Sequence, residues 1–184
     1  MYKSEGKLTI ERMPRKIPSC FIIVAASQAY LRYAVGLTMK FVKKSPWILH
    51  YDGSSCNGCD IEVLACLTPL YDVERFGIIN TGNPKHADIL LITGSVNEQN
   101  ISVVKQLYEQ MAEPKVVAAI GICATSGGIF AECYNVVGGV NKVLPVDVYV
   151  PGCAARPEAI IDGVVKALDI LEIKQKEMKS KKHS

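Results

Sequence analysis

Four of the seven cysteines in this 184-residue chain stand where chemistry is expected. Cys56 and Cys59 lie in Ser54-Ser-Cys-Asn-Gly-Cys-Asp-Ile-Glu62, Cys123 in Gly121-Ile-Cys-Ala124, and Cys153 in Val150-Pro-Gly-Cys153. Four thiolates suit a tetrahedral zinc or an iron–sulfur cluster. A lone C-x-x-C is a weak signal, and a thioredoxin-type reading would leave Cys123 and Cys153 without a role. Structural zinc usually joins two close cysteine pairs on a small lobe, whereas here the last two thiols are single and far apart in the chain. That spacing favours an iron–sulfur centre and keeps zinc as the alternative. Glycine beside Cys123 and Cys153 lets backbone approach the sulfurs and present amide donors.

Asp60 and Glu62 flank the second cysteine. They could relay protons beside a redox centre or hydrogen-bond the neighbouring loop; alternatively, Glu62 caps or salt-bridges the first turn of its helix. The other thiols, Cys20, Cys66 and Cys133, are expected to be small buried apolar groups. His50, His86 and His183 are scattered and read as surface or core histidines. Neither Gly127-Gly128 nor Gly138-Gly139 matches a dinucleotide fingerprint, and no nucleophile-and-base set stands out. These residues suit an electron carrier better than a self-sufficient enzyme.

The elements that must position the thiols alternate in type. Strands are expected at 47–51, 73–79, 88–93, 115–120 and 146–150, and helices over 59–67, 101–111 and from Pro157 onward. Ile161, Val164, Val165, Leu168 and Leu171 form the buried stripe of the last helix. Such alternation predicts an α/β fold, a parallel sheet with helices on both faces. Each of the four thiols follows a strand, and the carboxyl ends of parallel strands share one edge, where such sheets bind ligands.

Composition agrees with one domain and a sizeable core: 49% of residues are hydrophobic and 21% charged. A net charge of +3 is too small to suggest nucleic acid. The cysteine spacings are not those of a small disulfide scaffold, and the charged N-terminus (Lys3, Glu5, Lys7, Glu11, Arg12) lacks the apolar run of a signal peptide, so a cytoplasmic chain is expected. Residues 1–44 read as an arm followed by a docking helix, Ser19 to Lys43, amphipathic in its second half and interrupted too early by Gln28 and Arg32 to span a bilayer. Residues 45–172 form the cluster-binding domain, and 173–184 a basic tail.

From about Ser45 to Leu171 the chain resembles the small, cluster-bearing subunit shared by respiratory complex I (the 20 kDa subunit) and [NiFe]-hydrogenases. The likeness rests on Tyr71-Asp-Val-Glu-Arg-Phe-Gly77, Tyr108-Glu-Gln-Met-Ala-Glu-Pro-Lys115, Gly121-Ile-Cys-Ala-Thr-Ser-Gly-Gly128 and Pro145-Val-Asp-Val-Tyr-Val-Pro-Gly-Cys153. It implies a flavodoxin-like domain with one [4Fe–4S] cluster held by Cys56, Cys59, Cys123 and Cys153, and it matches Glu62 to the family's glutamate after the second ligand. The complex I type has adjacent first cysteines, a Ser-Pro-Arg-Gln-Ala-Asp stretch, and a Lys-Met pair near its quinone pocket. This chain reads Cys56-Asn-Gly-Cys59, as in the membrane-bound hydrogenase branch, and Asn83-Pro-Lys-His-Ala-Asp88 and Gln99-Asn100, two departures that speak against quinone reduction. Energy-converting membrane hydrogenases and their sulfane-sulfur-reducing descendant are the relatives implied. Cys153-Ala-Ala-Arg-Pro-Glu158 lacks the two prolines usual in both branches. The resemblance implies a [NiFe]-type large subunit, a ferredoxin-like cluster subunit and ion-translocating membrane subunits as partners, at the cytoplasmic face of the membrane. A quinone-reducing complex I type subunit is the runner-up, and a four-cysteine zinc scaffold the alternative of another class.

Overall fold

The computed structural model describes residues 45–182; the expected N-terminal arm and docking helix, with Cys20 and His183, lie outside the described residues. The chain runs β1 (Trp47–Asp52), α1 (Gly58–Leu67), β2 (Ile79–Asn80), β3 (Ile89–Thr93), β4 (Val96–Asn97), α2 (Ile101–Gln110), β5 (Val116–Ile120), α3 (Gly121–Ser126), β6 (Val136–Gly138), β7 (Val148–Val150) and α4 (Pro157–Lys182), with short 3-10 turns between. Five strands pair in parallel in the order β2-β1-β3-β5-β7, and β4 and β6 form a separate antiparallel pair.

Side chains alternate across a strand, so the register sorts the core into two halves. Leu49, Leu90 and Val117 stand side by side, and pack with Val104 of α2, Met111, Val140 and Leu144. On the opposite face Ile48, His50 and Leu91 meet Val63 and Cys66 of α1 and Ile160, Ile161 and Val164 of α4. Helices thus lie on each side. β3 and β5 are buried at every position, which explains their unbroken apolar runs. Fully burying a Leu or Ile contributes about 1.5–3 kcal/mol, so these two strands anchor the domain.

Two expectations are corrected. Residues 73–79 are not one strand: Val73–Phe76 forms a 3-10 turn and only Ile79–Asn80 pairs with β1. Asp72 and Gly77, both with left-handed backbone, bracket that turn and break the extended run. The last helix also continues past Leu171 through the basic stretch to Lys182. There Lys174 donates to the Lys115 carbonyl at 3.0 Å and to the two Asp147 carboxylate oxygens at 2.8 and 2.9 Å, tying the helix to the far end of the sheet.

Candidate metal centre

The parallel sheet brings the thiols to one edge. Cys56 follows β1 in an exposed turn and Cys59 lies half-buried in the first turn of α1. Cys123 stands in α3 directly after β5, and Cys153 in an exposed turn after β7. Close approach between these turns shows at Gly121: a Cβ there would lie 2.5 Å from the Cys59 Sγ and 3.3 Å from the Gly152 carbonyl, so two segments about sixty residues apart in sequence meet where only glycine fits. Gly121 also has φ of 81°, which glycine adopts at little cost. The Ile122 amide donates to the Gly152 carbonyl at 2.9 Å, joining the Cys123 turn to the Cys153 turn.

The thiols feel one another electrostatically. Burial raises the Cys59 thiol; an amide bond from Ala155 opposes this, and charge on Asp60, Cys56 and Cys153 adds to it. Burial likewise raises Cys123, with Cys153, Cys56 and Cys59 adding to the effect. The burial and neighbouring charge that oppose thiolate at Cys59 and Cys123 are what a bound cationic centre offsets. The donor set therefore fits a thiolate-held metal cluster. Among the described residues no three or more His, Cys, Asp or Glu side chains are drawn together tightly enough for a single ion.

The two carboxylates part company. Asp60 is buried, and its oxygens accept from the hydroxyls of Ser55 and Thr93, the latter at 2.5 Å, and face His50 Nε2 at 2.9 Å. Burial pushes the Asp60 carboxyl up, but Ser55, Thr93 and His50 together outweigh it and hold the group below its ordinary value. Glu62 is half-buried and acts elsewhere: its charge adds to burial in pushing the Cys66 thiol up to about 12, and it is a minor influence on Tyr71. Tyr71 donates to Glu158 at 2.8 Å, the chief reason that it too rises to about 12.

Cys66 is buried as expected and donates to the Glu62 and Pro157 carbonyls at 3.3 and 3.7 Å. Cys133 is corrected: it is exposed, in a loop between Glu132 and Tyr134, both exposed, where no helix or strand face turns it inward. His86 packs against Trp47 with ring centroids 5.5 Å apart.

Sequence reasoning missed the groups that hold the first thiol pair. Asp52 accepts from the amides of Ser54 and Ser55 at 3.0 and 2.7 Å. Asn97 donates to Ser54 Oγ at 2.6 Å, and Asn100 to the Gly53 carbonyl at 2.7 Å. Asn100 stands at the N-terminus of α2, where asparagine ordinarily caps, yet its side chain bonds no amide of that helix. It accepts from the Asn97 amide instead, as Asn97 accepts from the Asn100 amide, both at 2.9 Å. Beyond the Gln99-Asn100 departure itself, the sequence carries no signal of these long-range contacts.

Residues 56–167 match the family described as NADH ubiquinone oxidoreductase, 20 Kd subunit. A probable membrane-bound hydrogenase subunit of Pyrococcus furiosus is 54% identical over 132 residues, covering 72% of this chain and 79% of that protein. An NADH-quinone oxidoreductase subunit of Symbiobacterium thermophilum is 46% identical over 129 residues, 70% of this chain and 69% of that one. Among solved structures, an archaeal membrane-bound sulfane sulfur reductase contains a chain with TM-score 0.62 and 38% identity, covering 74% of this chain and 76% of the other.

Proposed function

The chain belongs to the NADH ubiquinone oxidoreductase 20 kDa subunit family, and from that membership we propose that it is the electron-transfer subunit of a membrane-bound, ion-translocating complex related to [NiFe]-hydrogenases. As a family member it is a subunit of an oxidoreductase complex. The proposed reaction is reduction of protons or sulfane sulfur with ferredoxin-type electrons, at a site on a large subunit. One [4Fe–4S] cluster is held by Cys56, Cys59, Cys123 and Cys153. The observation that carries this reading is the meeting of the four thiol-bearing turns at one sheet edge, marked by the approach of Gly121 to the Cys59 sulfur.

Three further observations support it. Strand order β2-β1-β3-β5-β7 is that of a flavodoxin-like sheet, whose ligands sit beyond the carboxyl ends of the strands. The single, widely spaced Cys123 and Cys153 suit an iron–sulfur centre better than the close cysteine pairs of a structural zinc. The hydrogenase relative and the sulfane sulfur reductase chain support the branch.

When bound, the cluster supplies one-electron transfer. The chain's own residues place and tune it: the Ala155 amide bonds toward Cys59 and favours its thiolate, and the glycines Gly58, Gly121 and Gly152 admit backbone close to the sulfurs. Residues 45–172 form the cluster domain, with the basic end of α4 continuing beyond it; the arm and docking helix expected over 1–44 lie outside the described residues. Partners are a [NiFe]-type large subunit, a ferredoxin-like cluster subunit and membrane subunits, with this chain peripheral on the cytoplasmic face. Among the described residues no helix is long and apolar enough to cross a membrane. Glu62, whose charge reaches Cys66 and Tyr71, is the residue proposed to relay protons.

The Symbiobacterium relative favours a second reading, quinone reduction. Turnover of the anaerobically purified complex separates the two: hydrogen evolution or sulfide release is expected, and quinone-dependent turnover without either would support the complex I type. Glu62→Gln is expected to lower turnover and alter its pH profile with the cluster intact; no change in either removes the relay.

A further inference from the structure

Asp60 is the charged side chain buried among the described residues, 9% exposed, and it adjoins Cys59 in the chain. Its carboxylate gathers three partners from three places. Thr93, the last residue of β3, donates to Oδ1 at 2.5 Å, and His50 of β1 faces the same oxygen at 2.9 Å. Ser55, in the turn before Cys56, donates to Oδ2. The Ser55 hydroxyl in turn accepts from the Asn57 amide at 2.9 Å, so one chain of hydrogen bonds runs from Asp60 to residues on both sides of Cys56. Asn57 has left-handed backbone, φ 63°, which asparagine tolerates. A buried carboxylate is tolerated only where its lone pairs are satisfied, and here those satisfying it come from the sheet and from the ligand loop itself.

We propose that Asp60 is a positioning residue, a brace that sets Cys56 and Cys59 relative to the ends of β1 and β3. The inference rests on the assignment of Cys56 and Cys59 as cluster ligands. Groups that orient metal ligands from behind typically govern affinity by about 10–100-fold. Thr93 and Ser55 are therefore part of the same device, and His50 joins it to the sheet.

The test uses the whole complex, purified anaerobically, with wild type, Asp60→Asn, Ser55→Ala and Ser55→Thr. Iron per chain, the EPR signature after dithionite, the midpoint potential and the rate of iron loss to a chelator are measured. Asp60→Asn is expected to shift the EPR g-values and the potential and to release iron about tenfold or more faster. Ser55→Ala is expected to move in the same direction by less, and Ser55→Thr to restore wild-type behaviour. Should Asp60→Asn fail to assemble, Ser55→Ala carries the test, because it leaves the carboxylate in place. Wild-type spectra, potential and chelator rate in both Asp60→Asn and Ser55→Ala overturn the brace. Altered pH dependence of turnover with an unchanged cluster overturns it too, in favour of proton carriage. A wild-type complex without iron, or a Cys56→Ala variant with the native signal, instead breaks the ligand assignment itself.

Discussion

The two halves of the thiol site are held by different means. The Cys56–Cys59 loop is fixed largely by side chains: Asp52, Asp60, Asn97 and Asn100 bond to Gly53, Ser54 and Ser55, beside one backbone bond from the Gly53 amide to the Thr93 carbonyl and one glycine contact, Gly94 against Ser55. The Cys123 and Cys153 turns are fixed by backbone, through the Ile122 amide on the Gly152 carbonyl and the Gly127 amide on the Cys123 carbonyl, with glycines where segments touch. A side-chain bond can be removed singly, and the others persist. A glycine contact allows no such gradation, because a methyl group either fits or displaces the backbone. Loss of a side-chain bond in the first half should therefore be graded, and a methyl group on a glycine in the second abrupt.

Gly152→Ala should have the largest effect. A Cβ there would lie 2.5 Å from Ala155 Cα, and φ is 144°. Destabilisation on the order of 3 kcal/mol or more is expected, with loss of iron. Thermal melting and iron analysis check this, and a wild-type melt would remove the distinction between the halves. Asn100→Ala should cost about 1–3 kcal/mol, since it leaves the Gly53 carbonyl short of a partner, and the cluster should form but be lost faster.

Cys66 links the halves, since its thiol bonds to Glu62 of α1 and to Pro157 at the start of α4. Its pKa is raised from 9.0 to about 12, so the unfolded chain gives up this proton first. The stability that the thiol contributes is complete below pH 9 and is lost as pH rises from there toward about 12. Cys66→Val should flatten that alkaline decline relative to wild type in pH-dependent denaturation, with iron content unchanged. Lys174→Met should have the smallest effect. It removes a partly exposed ion pair with Asp147 at the opposite end of the sheet, costs about 1 kcal/mol or less, and leaves iron and EPR signal untouched.

The sequence revealed most where structure is local. Apolar runs marked β3 and β5, the spacing of Ile161, Val164 and Leu168 marked α4, and the glycines beside Cys123 and Cys153 marked the turns that meet. It was silent where partners are distant. Asn100 reaches Gly53 across 47 positions and Thr93 reaches Asp60 across 33, and no periodicity records such pairs. Asp60 was open to a relay or a loop contact, because the residues around a carboxylate decide between them and they come from other strands. The 73–79 stretch misled because Val73 and Ile78 are buried as a strand's would be, although a 3-10 turn carries them there.

The central claim is that four thiols hold one cluster. Metal analysis with low-temperature EPR on the anaerobically purified complex, before and after dithionite, tests it most directly when wild type is compared with Cys153→Ala. Compared under identical purification, Cys153→Ala should show about four fewer irons and one reducible cluster signal fewer than wild type. Equal iron and identical spectra in both samples, or zinc in place of iron on this chain, would contradict it.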